Sequence, residues 1–151
     1  MTQAVVSRPR RALPRDLAPA RALLEAAGLP LAGVDQHFER FWAIDTADGR
    51  LAGIAGTEHY GTTWLVRSLV VDPAQRGQGV GGALLASVLD EARRQAAESV
   101  YLLTTDAQHF FAAVGFREIP RTAAPAALQA SEELRGACPD TATLMRLEVA
   151  R

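Results

Sequence analysis

Residues 70–83 read V-V-D-P-A-Q-R-G-Q-G-V-G-G-A, a glycine-rich turn between two regular segments. An apolar run, Leu65–Val71, precedes the turn, and a run with helical spacing, Ala83–Arg94, follows it. Glycines at this density let the backbone approach a ligand closely. The free N–H groups of a first helical turn also attract negative charge. The pattern therefore predicts a strand, a phosphate-binding turn and a helix.

The glycine spacing excludes two common phosphate-binding turns. No Lys-Ser/Thr pair follows the glycines, so the turn is not a P-loop, and G-x-G-x-G-G is not the dinucleotide pattern G-x-G-x-x-G. Arg76-x-x-Gly79-x-Gly81 instead resembles the Q/R-x-x-G-x-G/A pyrophosphate loop of the GNAT superfamily of acetyl-CoA-dependent N-acetyltransferases. The preceding segment, Leu69–Pro73, resembles the strand end and turn of that family. The alternative is a surface turn that binds nothing.

The order of predicted elements favours an α/β fold. The strand–helix–strand unit from Leu65 to Thr104 requires a parallel, right-handed crossover, whereas Asp48-Gly49 predicts an antiparallel hairpin. The expected result is a central mixed sheet of about six to seven strands with helices on both faces, which is the GNAT architecture. The predicted strands are Ala4–Arg8, Arg40–Thr46, Leu51–Tyr60, Thr63–Val71, Ser99–Thr104, Phe116–Ile119 and Thr143–Val149. The predicted helices are Leu17–Ala27 capped by Asp16, a short one around Asp35–Phe38, Gly79–Arg94, Ala107–Val114 capped by Asp106, and Pro125–Leu134.

The composition is that of an ordinary globular chain. With 151 residues, 48% of them hydrophobic and 22% charged, one compact domain over residues 1–151 is expected. A net charge of −1 provides no basic field for nucleic acid, and no apolar run is long enough to span a membrane. The N-terminus lacks a secretory apolar core, which predicts a cytoplasmic protein. The single cysteine, Cys138, excludes an internal disulfide, and no His/Asp/Glu spacing indicates a metal site.

A second resemblance to the family lies in the segment Phe110–Phe116, F-F-A-A-V-G-F. It is similar to the F-Y-x-x-x-G-F segment that flanks the thiol end of acetyl-CoA. Phe111 occupies the position of the usual tyrosine, which often protonates the leaving thiolate, and a phenyl ring cannot donate a proton. Either another group supplies that proton or the thiolate is discharged through water. The same departure favours an alternative function, a non-catalytic acyl-CoA sensor.

The resemblance assigns acetyl-CoA binding to the strand end, the turn and two later elements. It implies that splayed backbone near Val70 supplies the donor for the thioester oxygen and pairs with the pantetheine amides. The implied coenzyme-binding residues are Leu69, Val70, Val71, Arg76, Gly77, Gln78, Gly79, Val80, Gly81, Gly82, Thr105, Phe110 and Phe111.

Acetyl transfer to an amine needs a proton acceptor, and Glu58 is the predicted one. It lies late on the strand before the glycine-rich turn, where family members often place an acidic residue that acts directly or through water. The alternative is a solvated carboxylate at a sheet edge. His59 titrates near neutrality, but strand alternation places it on the opposite face from Glu58. His37 and His109 are expected to be surface or packing residues.

Arg67 interrupts an apolar strand, where a charge is costly unless it is paired. L-V-R-S-L-V-V at residues 65–71 resembles the L-R-S-L-x-V of GNAT members close to N-acetylglutamate synthases and to acetyltransferases of arsenic-resistance clusters. Arg67, Ser68 and Thr104 are therefore predicted to bind the acceptor, with the Arg67 guanidinium making a two-point contact to a carboxylate, a phosphonate-like group or an arsenic oxyacid. The alternatives are an internal ion pair of Arg67 with Glu58, and a helix-capping role for Thr104.

Further segments, Ala20–Val34, Tyr101–Thr105 and Ser131–Pro139, look like the arsenic-cluster branch. The implied function is transfer of the acetyl group of acetyl-CoA to a small, acidic or amino-acid-like amine, an aminoarsenical included. Amino-acid acetylation of the N-acetylglutamate-synthase kind and acetylation of protein N-termini or lysines are the alternative reactions. The predicted partner is a small-molecule amine, with no nucleic acid and no membrane, and the sequence leaves a homodimer open.

Overall fold

The computed structural model describes residues 8–149 of the 151-residue chain. The described strands are β1 (Arg10–Arg11), β2 (Trp42–Asp45), β3 (Leu51–Tyr60), β4 (Thr63–Val71), β5 (Ser99–Thr104), β6 (Arg117–Ile119) and β7 (Thr143–Glu148). The described helices are α1 (Leu17–Ala26), α2 (Val34–His37), α3 (Val80–Arg94) and α4 (Gln108–Val114). None of these helices is both long and apolar enough to cross a membrane.

The seven described strands form one mixed sheet in the order β1-β2-β3-β4-β5-β7-β6. β4 and β5 are parallel and are connected through α3, whereas the other described neighbours are antiparallel. The predicted crossover and the hairpin between β2 and β3 are therefore both present, and the mixed α/β fold class is confirmed.

Helices cover both faces of the sheet. One face packs against the apolar stripe of α3, which consists of Val80, Leu84, Leu85, Val88, Leu89 and Ala92. The opposite face packs against α1 and α2, where Leu24, Val34 and Phe41 are fully buried. Helical periodicity in the sequence is enough to orient α3, because its buried residues recur at three- and four-residue spacing.

A β-bulge interrupts the pairing of β3 with β4. Val70 lies opposite Ile54 and Arg67 lies opposite Gly56, so two residues of β4, Ser68 and Leu69, share one position of β3. Ser68 adopts a left-handed backbone conformation with φ of 59°, which is uncommon for a residue with a side chain. The bulge bends β4 away from its neighbour on the other side.

β4 and β5 consequently separate after a short stretch of parallel pairing. Their parallel pairing covers only Thr63–Leu65 against Ser99–Tyr101. Beyond that point β4 continues beside β3 and β5 continues beside β7 up to Thr104. The sheet therefore opens between the second half of β4 and the end of β5.

Several predicted elements differ from the structure. Ala4–Ser7 of the first predicted strand lies outside the described residues, and the edge strand is instead Arg10–Arg11, where a loop was expected. The predicted helix Pro125–Leu134 is wrong: a 3-10 turn, Ala126–Ala130, is followed by a distorted turn, Glu133–Ala137. Gly136, with φ of 113°, breaks helical geometry there.

Two predicted caps also differ. The Thr104 hydroxyl, and not Asp106, accepts the hydrogen bond from Ala107 N–H at the start of α4, at 3.0 Å. The Asp16 carboxylate makes no capping bond to α1 and instead accepts from Leu13 N–H and from Arg10. The Asp16 carboxylate is therefore taken up by neighbours outside the helix, and the Thr104 hydroxyl makes the capping bond predicted for Asp106.

Candidate active site

A cavity of about 540 Å³ occupies the opening between β4 and β5. One wall is Val66–Val71 of β4, and the facing wall is Leu102–Ala107. The remaining lining residues come from the end of α1, the glycine-rich turn, α4 and the C-terminal segment; they are Ala27, Gly28, Leu29, Pro30, Arg76, Gly81, Phe110, Phe111, Glu133, Pro139 and Ala142. An opening at the carboxyl ends of two neighbouring parallel strands is a common place for a ligand in an α/β sheet.

The glycine-rich turn presents free N–H groups beside this cavity. Gly79 begins α3 in a left-handed conformation with φ of 78°. Ala83 N–H bonds to the Gly79 carbonyl at 3.0 Å and closes the first helical turn. The N–H groups of Val80, Gly81 and Gly82 therefore have no acceptor within the helix, which makes this end an anion site.

Arg76 and Phe110 complete the phosphate end of the cavity. Arg76 is exposed, lines the cavity, and among the described residues has no acceptor for its guanidinium. The ring of Phe110 is 40% exposed, and a Cβ placed on Gly81 would lie 3.7 Å from this ring and from Val71. Even a small side chain at position 81 would therefore fill the cleft between α3 and α4. These groups fit a ligand with a diphosphate at one end.

The exposed edge of β4 suits the rest of such a ligand. After Leu65 no described strand pairs with β4 on the side facing β5, so those backbone N–H and C=O groups of Val66–Val71 that point away from β3 face the cavity. Peptide groups left in this way are strong hydrogen-bonding partners for an extended chain that carries amides. The cavity thus fits coenzyme A in chemistry as well as in position.

Arg67 and Glu58 form a buried ion pair at the other end of the cavity. Arg67 Nη1 donates to Glu58 Oε2 at 2.7 Å, and the two side chains are 0% and 1% exposed. Arg67 also donates through Nε to Ser68 Oγ at 3.0 Å and through Nη2 to the Pro30 carbonyl at 3.3 Å. Of the two partners considered for Arg67 in the sequence, the internal carboxylate is present.

Glu58 is enclosed by hydrogen-bond donors and does not line the cavity. The Tyr60 hydroxyl and Arg67 donate to its carboxylate, and Ser131 bonds to it as well. Burial alone would raise the pKa of Glu58, but these hydrogen bonds outweigh it and hold that pKa below its usual value. The pKa of Tyr60 is raised, chiefly by burial and then by its hydrogen bond to Glu58.

Glu133 is the carboxylate that does line the cavity, and the sequence does not single it out. Glu133 Oε2 lies 3.6 Å from Arg67 Nη2, and the residue is 3% exposed. Burial raises the pKa of Glu133, although the Arg67 charge opposes that shift. Its neighbour Glu132 is exposed, and nothing in the sequence distinguishes these two adjacent glutamates.

His59 lies on the face that strand alternation predicts, and His37 is half-buried. His59 stacks on Trp64, with ring centroids 3.6 Å apart, on the α3 face and away from Glu58. Burial, with the charges of nearby arginines, lowers the pKa of His59 to about 4. His37 lies beside the Arg67–Glu58 ion pair, since its Nε2 is 3.8 Å from Glu58 Oε1.

The other predicted site residues divide between the cavity and its rim. Ser68, Leu69, Val70, Val71, Thr104, Thr105 and Phe111 line the cavity together with Arg67, Arg76, Gly81 and Phe110. Glu58, Gly77, Gln78, Gly79, Val80 and Gly82 do not line it. Within residues 8–149 no group of three or more His, Cys, Asp or Glu side chains is arranged to hold a metal ion.

Cys138 lies in the C-terminal segment and contacts Glu133. Its side chain is buried and hydrogen-bonded to Glu133. Burial and the neighbouring Glu133 charge raise the pKa of the Cys138 thiol to about 12. The thiol is therefore protonated at neutral pH and is a weak nucleophile.

Comparison with known proteins identifies a family to which the chain is similar. The family model described as acetyltransferase (GNAT) domain matches residues 37–118. A curated amino-acid acetyltransferase from Mycobacterium tuberculosis is 34% identical over 88 residues, which are 56% of this chain and 49% of that protein. The chain thus spans about half the length of the curated relative that it matches.

Solved structures share the fold at low sequence identity. N-acetylglutamate synthase from Neisseria gonorrhoeae, complexed with coenzyme A and N-acetyl-glutamate, superposes with a TM-score of 0.81 at 24% identity over 95% of this chain and 35% of that one. A Mycobacterium tuberculosis protein in complex with CoA and NLQ gives 0.79 at 22% identity, over 95% and 100% of the two chains. A GNAT acetyltransferase from Staphylococcus aureus gives 0.80 at 16% identity, over 95% and 99%.

Proposed function

The chain belongs to the acetyltransferase (GNAT) family, and from this premise we propose that it transfers the acetyl group of acetyl-CoA to the amine of a small, amino-acid-like acceptor. The observation that carries the proposal is the opening between β4 and β5, with an anion site at one end and the Arg67–Glu133 contact at the other. A curated relative that is an amino-acid acetyltransferase supports this acceptor class.

In the proposed complex the glycine-rich turn and its neighbours hold the coenzyme. The free N–H groups at the start of α3 and the guanidinium of Arg76 bind the pyrophosphate. The open edge of β4 pairs with the pantetheine amides, and backbone N–H at Val70 polarises the thioester oxygen. Phe111 packs beside the thiol end, whereas Phe110 lies at the phosphate end beside Gly81. Holding both reactants in attack geometry supplies much of the acceleration in this kind of reaction.

The proposed acceptor occupies the end of the cavity that Arg67, Ser68 and Thr104 reach. A guanidinium has five N–H groups, and the bonds to Glu58, Ser68 and Pro30 leave some of them for a ligand. This remaining capacity supports the finer proposal of an acceptor with an acidic group, either a carboxylate or an arsenic oxyacid. The resemblance of residues 65–71 to N-acetylglutamate synthases and to the arsenic-cluster branch supports the same acceptors.

A thiol-release assay with acetyl-CoA tests the proposal. The amine panel comprises L-glutamate, a neutral amino acid, an aminoarsenical and a peptide with a free N-terminus, and acetyl-CoA affinity is measured by calorimetry. We expect micromolar coenzyme binding, as is usual for enzyme substrates, and thiol release with at least one small amine but little with the peptide. Preference for the peptide would overturn the proposed acceptor class.

A non-catalytic acyl-CoA sensor is the second candidate, and Phe111 is the observation that favours it. The ring is buried against Phe110 and Phe116, with centroid distances of 5.1 and 5.7 Å, and carries no hydroxyl for the leaving thiolate. Tight acetyl-CoA binding without thiol release for any amine would select the sensor.

A further inference from the structure

Two carboxylates share one guanidinium at the acceptor end of the cavity, but their surroundings differ. Glu58 lies behind Arg67, accepts bonds from Tyr60, Arg67 and Ser131, and has no face on the cavity. Its lone pairs are occupied and its affinity for a proton is reduced. A carboxylate in that position is well suited to fix Arg67 and poorly suited to accept a proton from a substrate.

Glu133 has the opposite surroundings. Glu133 is one of the residues that line the cavity. Its carboxylate lies 3.6 Å from Arg67, which is too long for a strong hydrogen bond, and among the described residues only the Cys138 thiol is bonded to it. The turn that carries Glu133 is held in place, since its N–H donates to Ser131 Oγ at 3.2 Å and its carbonyl accepts from Cys138 N–H at 3.2 Å. Glu133 is thus a fixed carboxylate with free lone pairs at the acceptor end.

We propose that Glu133 is the group that takes the proton from the acceptor's ammonium, with Arg67 and Glu58 as positioning residues behind it. The inference rests on the proposed acetyl transfer and deepens it by assigning the proton acceptor. Glu58, which the sequence predicts to be the proton acceptor, has a positioning role on Arg67 in this proposal. Because Glu58 neutralises the Arg67 guanidinium at 2.7 Å, Glu133 does not form a tight ion pair with it.

The proposed step balances in atoms and charge. The acceptor enters as R–NH₃⁺ and passes one proton to the Glu133 carboxylate. The neutral amine attacks the thioester carbon, a C–N bond forms, and the C–S electron pair leaves on sulfur. The thiolate takes the second amine proton, which gives the N-acetyl product and coenzyme A. The proton on Glu133 returns to solvent through the cavity mouth.

The charges around Glu133 are consistent with this role. Arg67 from β4 favours its ionised form, whereas Glu58 from β3 and burial favour its protonated form, and the Cys138 thiol is bonded to it from its own segment. Arg121 acts on Cys138, and the other charged residues that line the cavity are Arg76 and Asp106. Burial raises the pKa of Glu133 above its usual value, and an upward shift is the direction that makes a carboxylate a better general base.

The test compares three isosteric variants: Glu133→Gln, Glu58→Gln and, as a matched control, Glu132→Gln, whose parent side chain is exposed. For Glu133→Gln we expect kcat/KM at pH 7 to fall by about 100-fold or more, with unchanged acetyl-CoA affinity by calorimetry. The loss should shrink as pH rises, because more of the acceptor is then already neutral. Glu132→Gln should behave as the wild type.

Wild-type or nearly wild-type kcat/KM for Glu133→Gln at every pH would overturn the inference. If that variant fails to fold, Glu133→Asp takes its place in the comparison. In addition, kcat/KM of the wild type is measured against pH for two acceptors whose amine pKa values differ. The inference requires an acidic limb that stays at the same pH for both. Absence of transfer with every amine would overturn the proposed function and this inference together, whereas full activity of Glu133→Gln would overturn the inference alone.

Discussion

Arg67 and Glu58 lie on adjacent antiparallel strands and meet across the register, with 2.7 Å between Nη1 and Oε2. Both side chains are buried, so the Coulombic attraction is little screened by salt. Removal of either partner would leave the other charge without its compensation, and that loss is the costly event in a buried pair. The stability of the acceptor end therefore depends on this contact.

Arg67→Ala should destabilise the protein strongly. Breaking a buried ion pair typically costs about 3–5 kcal/mol, and here Glu133 loses its nearest cation at the same time. Urea denaturation should report this loss, and activity should fall more for an acidic acceptor than for a neutral one, because the remaining guanidinium N–H groups are proposed to bind the acidic group. Arg93→Ala is a suitable control, because the Arg93–Asp90 pair is exposed and such pairs contribute about 0–1 kcal/mol. Normal stability, with loss of activity towards acidic acceptors alone, would instead assign Arg67 to the substrate.

Glu58→Gln should lower the melting temperature at neutral pH. The pKa of Glu58 is lower in the folded than in the unfolded chain, so its contribution is present above the unfolded pKa and is lost as pH falls through the folded pKa. The difference in melting temperature between wild type and variant should thus be largest near pH 7 and narrow at acidic pH. Scanning calorimetry between pH 3 and pH 8 measures it, and a gap that widens on acidification would contradict the assignment.

Glu133→Gln should show the opposite pH dependence. Burial raises the pKa of Glu133 in the folded chain, so its favourable contribution exists below the unfolded pKa and is lost as pH rises through the folded pKa. Above that pH the wild type carries a buried charge that the variant lacks. We therefore expect the variant to gain melting temperature relative to wild type as pH increases. A relative loss would mean that Arg67 stabilises the ionised carboxylate more than burial destabilises it.

Gly81→Val should weaken acetyl-CoA binding without unfolding the protein. Gly81 has no positive φ, and its Cβ would make only ordinary contacts at 3.7 Å. The added methyl groups would nevertheless occupy the cleft beside Phe110 and block approach to the free N–H groups. We expect at least a tenfold rise in the calorimetric Kd. Ala86→Val, on the exposed face of the same helix, should leave Kd unchanged, and unaltered affinity for a folded Gly81→Val protein would remove the proposed pyrophosphate site.

Gly33→Ala should disturb the ion pair from outside. A Cβ at this position would lie 2.7 Å from Arg67 Nη1, and φ is 84°. The left-handed conformation alone costs a residue with a side chain about 1–2 kcal/mol, and displacement of the guanidinium adds to that cost. Gly61→Ala is the matched control, because its φ is 65° and no atom lies within 4 Å of its Cβ. Equal losses of stability in both variants would show that Gly33 makes no room for Arg67.

The central part of the fold could be predicted from the sequence because its signals are local. β3, β4 and β5 have the predicted bounds, since each is a largely apolar segment that ends next to turn residues: Gly61 after β3, Asp72-Pro73 after β4 and Thr105-Asp106 after β5. Helix α3 begins directly after Gly79, within the glycine-rich stretch. The phosphate end of the site follows from this, because all of it except Phe110 is built from one contiguous stretch between β4 and α3.

The acceptor end could not be predicted in the same way, because its residues come from distant parts of the chain. Whether Arg67 meets Glu58 depends on the register of β3 against β4, which places Leu65 opposite Glu58 and Arg67 opposite Gly56, and on the side-chain conformations that join the two across that diagonal. Glu133 is brought to the cavity by a segment that lacks regular periodicity and that docks through buried Leu128 against Leu65. Its position is therefore set by tertiary packing, which overrides local propensity.

The bulge in β4 also changes how the chain would respond to a deletion. In a regular strand, removal of one residue turns all the following side chains to the other face. Here Arg67 and Val70 already share a face although they are three positions apart, since Ser68 and Leu69 together occupy one place. Loss of Leu69 would therefore leave later side chains where they are and let β4 run straight beside β5. The sheet contains one surplus residue, and a chain without it would form a more regular sheet that has no entrance.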